Sequence, residues 1–139
     1  MTADKIPQKN DLYRLLRERC GLSLDEAAAF HDTRIDTVRS WSSGRRNAPP
    51  GAIDELRALY AKIERAASEL VDIAKKIEAE AIEISLSSDD HEAQSLGWPC
   101  AGAHEAAIGI AAARLSRDVI IVPRGSTPAT AAAADAHKK

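Results

Sequence analysis

Apolar residues near the start of the chain recur at the spacing of a short amphipathic helix. Leu12, Leu15 and Leu16 fall on one stripe, and the nearby charged side chains lie largely off it. We predict a first helix over residues 11–20, with Asn10 capping its first turn and Gly21 ending it. The residues before it contain Pro7 and polar neighbours and predict a loose arm.

The next two helices are marked by capping signals more than by long apolar runs. Ser23 and Glu26 form an S-x-x-E capping box, which predicts that a second helix begins there. Residues 31–33, His-Asp-Thr, predict a short break. A third helix then follows from about Arg34 to Ser42 and ends at Ser43 and Gly44.

After Pro49-Pro50-Gly51, a long stretch carries apolar residues at intervals that alternate between three and four. This pattern predicts one long amphipathic helix, and the stripe can pair with another helix. We favour pairing across a homodimer, because a small head cannot cover four heptads; packing within the same subunit is the alternative. The stripe consists of Ile53, Leu56, Tyr60, Ile63, Ala67, Leu70, Ala74 and Ile77.

The last part of the chain switches between strand and helix patterns. Ile82, Ile84 and Leu86 alternate with polar residues and predict a short half-buried strand, followed by a loop over residues 87–90. Gly97 and Trp98 indicate a turn. We predict a small-residue helix over residues 102–115, a second strand over 118–122 and a disordered tail over 124–139.

These patterns predict a mainly α fold. We expect an N-terminal helix-turn-helix bundle over residues 8–50 and a long amphipathic helix that leads into a small α+β dimerisation module with short strands, over residues 51–123. The composition agrees with this class, because 45% of the residues are hydrophobic but only 4% are aromatic. Alanine-rich sequence suits closely packed helices better than a thick β core.

Charge and cysteine content narrow the functional classes only in part. The formal net charge is −2, but residues 1–50 hold more basic than acidic residues and residues 51–96 are clearly acidic. A local basic patch is enough for binding DNA, since phosphate fields act over about 8–10 Å. Cys20 and Cys100 form no zinc-binding pattern, and Cys20 is expected to be a buried thiol.

No sequence pattern indicates catalysis, a cofactor or a membrane. His104-Glu105 lacks the second histidine of a zinc-protease motif, because Ile108 stands in its place. No apolar run approaches the roughly 18 residues of a membrane span, and no signal peptide is evident. We therefore expect a cytoplasmic protein that is not an enzyme and that has neither a metal site nor a cofactor.

The segment from Leu22 to Gly44 has the size pattern of a helix-turn-helix, the usual means of presenting a helix to the major groove. Ala28 must be small because the following helix crosses it. Val38 and Trp41 supply the apolar face that closes on it. Together with Leu16, Leu22 and either Phe30 or Leu56, they are expected to form a compact core.

This packing leaves one side of the third helix turned outward, and that side is the predicted base-reading surface. Arg39 can bind a guanine edge with two hydrogen bonds, and Ile35 and Thr37 can contact a thymine methyl group. Asp36 would repel phosphate and must face a base edge or an arginine. The full set comprises Arg34, Ile35, Asp36, Thr37, Arg39 and Ser40.

The stretch from Leu16 to Leu59 resembles the XRE/Cro-C1 family of helix-turn-helix regulators. The likeness rests on Leu16-Arg17-Glu18, Gly21-Leu22-Ser23, Glu26-Ala27-Ala28, Val38, Trp41, Gly44 and Arg45. The resemblance implies that bases are read by Arg34, Ile35, Asp36, Thr37 and Ser40, and that phosphates are bound by Ser23, Leu24, Ser43, Arg45 and Arg46. The turn departs from the family pattern, with Asp32 in place of the usual glycine and with His31 and Thr33 at positions that are usually aliphatic.

The remainder of the chain resembles, in arrangement, the C-terminal extension of a subgroup of these regulators that includes anti-CRISPR-associated autorepressors. The resemblance implies a dimeric repressor that binds double-stranded DNA at a near-palindromic operator. The alternative is an antitoxin-type protein whose C-terminal part binds a partner protein and whose DNA binding serves autoregulation. The predicted dimer contacts are Ile53, Leu56, Tyr60, Ile63, Ala67, Leu70, Ile77 and Trp98.

Overall fold

The computed structural model describes residues 10–124, and the predicted tail over 124–139 lies outside this range except for Arg124. The described chain is mainly helical with one small sheet, which confirms the predicted fold class. Its elements are α1 (Leu12–Arg19), α2 (Leu24–His31), α3 (Ile35–Ser43), α4 (Pro50–Lys75), β1 (Ala81–Leu86), α5 (Asp90–Ser95), α6 (Ala101–Arg114) and β2 (Asp118–Pro123).

The chain divides into two compact units. The first unit, which we call the head, ends at Tyr60, and the second, which we call the module, begins at Ala61. This division falls inside α4, whereas the sequence places the boundary after residue 50. A long helix can contribute its first turns to one core and its later turns to another, so no loop marks the division.

Local capping chemistry defines the helix ends of the head as the sequence predicts. The Asn10 side chain accepts a hydrogen bond from the Leu12 N–H at 2.9 Å. Ser23 and Glu26 form both halves of the capping box at the start of α2. Asp32 ends α2 in the left-handed conformation, with φ 55° and ψ 52°, and Gly44 ends α3 with φ 80°.

The buried face of α1 differs from the predicted one. Leu12 and Leu15 are 39% and 54% exposed, whereas Tyr13 and Cys20 are buried. The Tyr13 ring meets the Trp41 ring edge to face, with centroids 5.4 Å apart. An aromatic ring buries more surface than a leucine, so the Tyr13 contact and not the leucine stripe sets the rotation of α1.

The core of the head is the predicted one. Ala28, Val38 and Trp41 are buried, and Leu56 from α4 completes the core, whereas Phe30 is half-buried. The Cys20 thiol donates to the Leu56 carbonyl across 3.4 Å. Burial raises the pKa of Cys20 to about 11, so at neutral pH this cysteine is an unreactive buried thiol.

The stripe along α4 packs within its own chain, which corrects most of the predicted dimer contacts. Tyr60 and Leu70 are half-buried, and Ile77 is 45% exposed. The other predicted dimer residues are buried before any second chain is present: Ile53, Leu56, Ile63, Ala67 and Trp98. This burial favours the alternative of packing within the same subunit, since each end of α4 has a core of its own, and dimer formation itself stays a prediction.

The module places two parallel strands and α6 against the later turns of α4. β1 pairs with β2 in parallel, with Ile82 opposite Val119 and Ile84 opposite Ile121. Ile82 and Ile84 pack with Ala74 and Ile108 in one apolar cluster. A second cluster joins α4 to α6 through three buried residues, Ala67, Val71 and Ala111.

Both predicted strands and the small-residue helix α6 are present, but α5 was not predicted. Asp89 caps α5 by accepting the Glu92 N–H at 2.8 Å, and Ala93 is the buried residue of this short helix. Six residues with a single buried position give no periodic signal. The predicted loop over residues 87–90 therefore ends where α5 begins.

Candidate nucleic-acid interface

The first turns of α3 and the loop after it form a shallow concave surface, and the volume enclosed by this surface is about 460 Å³. We call this surface the α3 cleft. It brings together predicted base-reading residues and predicted phosphate-binding residues that are separated in the sequence. Its lining consists of Arg34, Asp36, Thr37, Ser40, Arg45 and Arg46.

Basic side chains dominate the α3 cleft. Three of the six lining residues are arginines, and Asp36 is the single acidic one. Arg34, Arg45 and Arg46 are exposed. Because a guanidinium stays charged at any physiological pH, these exposed arginines attract anions to this surface.

Ser40 is buried, which corrects the expectation that it faces outward. Its exposed fraction is 2%, although its hydroxyl oxygen lies at the base of the α3 cleft. The Arg45 guanidinium donates to this oxygen at 2.6 Å, and the Arg46 N–H donates to the Ser40 carbonyl at 3.2 Å. Ser40 therefore holds the loop after α3 in place instead of presenting its own side chain.

The loop after α3 is further ordered by Ser43. The Ser43 hydroxyl donates to the Ser40 carbonyl at 3.2 Å and accepts the Arg45 N–H at 3.3 Å. Gly44 supplies the left-handed backbone that turns the chain at this point. These contacts fix the backbone of the loop that carries both arginines, so less side-chain and backbone entropy is lost when an anion binds there.

Arg39 and Ile35 lie on α3 outside the lining of the α3 cleft. Arg39 is exposed and forms an ion pair with Asp36 at 3.5 Å, in which both side chains are more than half exposed. An exposed pair of this kind contributes about 0–1 kcal/mol, so Arg39 can leave Asp36 for another partner at small cost. Ile35 is half-buried, which limits it to contacts made by part of its side chain.

The start of α2 holds the other two predicted phosphate-binding residues. Ser23 donates its backbone N–H to Glu26 at 2.8 Å and accepts the Glu26 N–H on its hydroxyl oxygen at 3.1 Å. Its backbone donor is therefore occupied, and the hydroxyl hydrogen is the group that remains for a phosphate. Leu24 is the first residue of α2, where backbone N–H groups lack intrahelical acceptors.

Sequence reasoning missed Arg17 as a structural residue. Its side chain is 11% exposed. It donates to the Ser42 hydroxyl at 3.1 Å and to the Leu22 carbonyl at 2.7 Å. Arg17 thus joins α1 to the last turn of α3 and to the loop before α2. Its place between Leu16 and Glu18 suggested a charged outer face, so nothing in the sequence indicated these contacts.

His31, at the end of α2, is the second residue whose structural role the sequence did not indicate. Its ring lies between the Glu55 carboxylate and the Tyr13 hydroxyl, each at 2.9 Å, and contacts Trp41 with centroids 5.8 Å apart. With Nδ1 protonated, the ring donates to Glu55 and accepts from Tyr13. The ring therefore makes aromatic and polar contacts at a position that is usually aliphatic.

Burial of the Tyr13 hydroxyl raises the pKa of this side chain to about 12, so it stays protonated and can donate to His31 at any physiological pH. The network of Tyr13, His31, Trp41 and Glu55 joins all four helices of the head. We call it the His31 network. Tyr13 and Trp41 are buried members of this network, His31 is half-buried, and Glu55 is exposed.

The module contains a buried histidine of a different kind. The Ser87 N–H donates to His104 Nδ1 at 3.3 Å, and the Ser87 hydroxyl lies 2.7 Å from the same atom. Because a backbone N–H can only donate, Nδ1 carries no proton and the ring is neutral. Ser87 and His104 are 4% and 9% exposed, and the Trp98 ring stacks on the histidine at 6.0 Å.

No protein-family model matches the chain, and a search of the curated proteins found no match. Within residues 10–124, no cluster of three or more potential ligand side chains could hold a metal ion. Over the same residues, no helix combines the length and the apolar character needed to cross a membrane.

Proposed function

We propose that the chain is a sequence-specific double-stranded DNA-binding regulator of the XRE/Cro-C1 type, acting as a dimeric transcriptional repressor. The observation that carries the proposal is the α3 cleft. Six residues predicted from the sequence to contact DNA line one surface at the start of a helix. That helix follows a tight turn and packs on a second helix through Ala28 and Val38, as a recognition helix requires.

In this proposal α3 enters the major groove with its first turns against the base edges. Arg39 exchanges its exposed ion pair with Asp36 for the O6 and N7 atoms of a guanine. Thr37 and Ile35 contact the methyl group of a thymine. Asp36, released from Arg39, accepts from the amino group of a cytosine or pairs with Arg34.

Arg45 and Arg46 bind backbone phosphates on the flank of the same groove. Their contribution is independent of sequence and falls with rising salt, because each neutralised phosphate releases condensed counterions. Ser23 and the start of α2 bind a phosphate on the other flank, where the helix dipole favours an anion. Two heads in a dimer address the half-sites of a near-palindromic operator, and occupancy blocks the promoter.

The decisive experiment selects bound sequences from random double-stranded DNA and then measures the salt dependence of binding to the best site. Arg39→Ala is expected to cost about 1–3 kcal/mol and to relax the preference at one base pair. Arg45→Ala is expected to weaken all sequences about equally and to reduce the salt slope by about one. Arg57→Ala is the matched control, because Arg57 is an exposed arginine of α4.

Ser40→Ala separates positioning from charge at the same surface. It removes the oxygen that receives the Arg45 guanidinium but leaves the charge in place. We expect a weaker affinity with an unchanged salt slope. Random-pool selection that enriches no sequence, together with unchanged affinity for Arg39→Ala and Arg45→Ala, would contradict the proposal. The antitoxin-type alternative stays a prediction, and co-purification of a second, different chain is the observation that would favour it.

A further inference from the structure

The outer edge of β2 has the composition of a strand that pairs with another chain. Within residues 10–124, β1 is the strand that β2 pairs with, so the other edge of β2 carries no strand. Ile120 and Ile121 at its centre are 48% and 44% exposed. No charged residue interrupts residues 119–122. Exposed edges are normally protected by charged residues, proline, a short strand or a bulge. Here Asp118 and Pro123 stand at the two ends of β2, and the four residues between them are all β-branched and aliphatic.

The backbone of β2 determines which groups this edge offers. The Arg124 N–H donates to the Leu86 carbonyl at 2.7 Å, so Arg124 points its backbone toward β1. Successive residues of a strand alternate in this direction. The backbone groups of Val119, Ile121 and Pro123 therefore point away from β1. Pro123 has no N–H to leave unpaired, which suits the outward position of an edge strand.

We propose that a second copy of this chain pairs with β2 through this edge, antiparallel and about a two-fold axis at Ile121. Each Ile121 then donates its N–H to the carbonyl of the partner's Ile121. Each Val119 donates its N–H to the carbonyl of the partner's Pro123. The two parallel pairs thereby join into one four-stranded sheet, which removes the open edge of β2 in both copies.

Charge complementarity selects this register. With Ile121 opposite its own copy, Asp118 at the start of β2 lies opposite the partner's Arg124, which directly follows the strand, and this occurs twice. If the pairing were shifted by one residue, residues whose N–H and carbonyl groups point toward the partner would face residues whose groups point away from it, and the hydrogen bonds could not form. The nearest allowed shifts place Arg124 opposite Ser116 or opposite Ile120, and neither offers an opposite charge.

Pairing through the edge of β2 would form the predicted homodimer without requiring contacts from the buried residues of the α4 stripe. Ile77, a predicted dimer residue, is 45% exposed, and its carbonyl accepts from Arg117, which directly precedes β2. The backbone of Ile77 is therefore bound by the side chain of the residue that directly precedes β2. The inference deepens the dimer of the proposed function, but it rests on β2 alone, so its tests are made without DNA.

The first test places a charge at the centre of the edge. Ile121→Lys opposes two ammonium groups at the two-fold axis and is expected to raise the dimer dissociation constant by on the order of tenfold or more. Sedimentation equilibrium of the full chain measures this constant. Ile73→Lys is the matched control, because Ile73 is an isoleucine of α4 that is 57% exposed. Far-UV circular dichroism verifies that both variants are folded.

The second test reads the register. In the proposed pairing, Cα atoms of the two Ile121 residues are about 5.5 Å apart, within disulfide range. Ile121→Cys is expected to form a covalent dimer under mild oxidation much faster than Ile120→Cys, whose copies lie diagonally. The two native cysteines are buried and give a low background. Faster cross-linking of Ile120→Cys would overturn the register.

The third test exchanges the end charges. Asp118→Arg and Arg124→Asp should each weaken the dimer a few-fold, and the double variant should restore it, because the exchange recreates both opposite-charge pairs. The proposal would be overturned if the wild-type chain is monomeric, as it would be if residues 125–139 cover the edge. It would also be overturned if Ile121→Lys forms a dimer as stable as that of the wild type.

The dimer and the DNA binding can fail separately. A wild-type chain that is dimeric but binds no DNA would overturn only the proposed function, and a monomer can still bind a half-site.

Discussion

The head and the module achieve burial by different means. In the head, polar side chains cross between helices: the His31 network joins all four helices, and Arg17 joins α1 to α3. In the module, α4 and α6 meet through Ala67, Val71 and Ala111, which are buried in one apolar cluster. Directional contacts fix the orientation of one helix relative to another, whereas alanine contacts mainly fix their distance.

This difference matches what each unit exposes. The head exposes a charged surface at the start of α3, whose usefulness depends on the angle at which the helix is held. The module exposes an apolar strand edge, whose usefulness depends on a straight row of backbone donors and acceptors. Orientation through polar contacts and spacing through small side chains are thus suited to the ligands that we propose for the two units.

The largest effect is expected from filling the small-residue contact of the module. Ala111→Leu adds a branched side chain where α6 meets Ala67 and Val71 at zero or low exposure. Overpacking of this kind costs about 1–3 kcal/mol of unfolding free energy. Urea denaturation measures this cost, and Ala113→Leu on the exposed side of α6 is the control. Equal stability of the two variants would contradict close α4–α6 packing.

A smaller loss is expected from breaking the polar contacts of the head. His31→Ala removes the ring between Tyr13 and Glu55 and should cost about 1–2 kcal/mol, since a buried hydroxyl loses its acceptor. Tyr13→Phe removes one of the two hydrogen bonds and should cost less. Chemical denaturation gives both values. If DNA affinity also falls in His31→Ala while the fold is retained, the network orients α3; an unchanged affinity would limit it to stability.

The buried histidine of the module, His104, predicts a pH dependence of stability. Burial lowers the pKa of His104 below its usual 6.5, Arg124 lowers it further, and Glu105 and Glu92 act in the opposite direction. The unfolded chain therefore binds a proton that the folded chain does not, and stability falls as the pH drops below about 6.5. Unfolding at a series of pH values measures this slope. His104→Gln should make the unfolding free energy less dependent on pH in this range. An unchanged slope would mean that other titrating groups cause the pH dependence.

The head was predictable from sequence because its signals are local. The capping box at Ser23, the left-handed positions at Asp32 and Gly44, and the small residue at Ala28 each act within a few residues. Such local signals act in the same way whatever the tertiary structure around them. They located both helices of the motif and the side of α3 that faces outward, which is why five of the six base-reading candidates remain at least partly exposed.

The failures described here involve contacts that lie outside the periodic pattern of a single helix. The α4 stripe identified the buried face correctly, but periodicity cannot tell whether a chain covers its own stripe or a second copy does. Ser40 is buried because Arg45 and Arg46 fold back over it, and Arg17 is buried because Ser42 and Leu22 accept from it. No pattern of polar and apolar residues contains these pairings, since they depend on where the loops return.

The smallest predicted effect concerns the turn that joins the two helices of the motif. Asp32 has φ 55° and ψ 52°, a conformation that costs an L-residue energy and costs glycine none. Asp32→Gly should therefore stabilise the head, because it relieves this backbone strain. The gain should be only about 0.5 kcal/mol, because glycine also gives the unfolded chain more freedom, which offsets part of it. Gly44→Ala, at φ 80°, is the reciprocal variant and should destabilise by about 1 kcal/mol. Thermal denaturation of both variants measures the pair. A destabilised Asp32→Gly would mean that the aspartate side chain makes a contribution larger than the strain of its backbone, and the head would then depend on a polar contact at the turn as it does at His31.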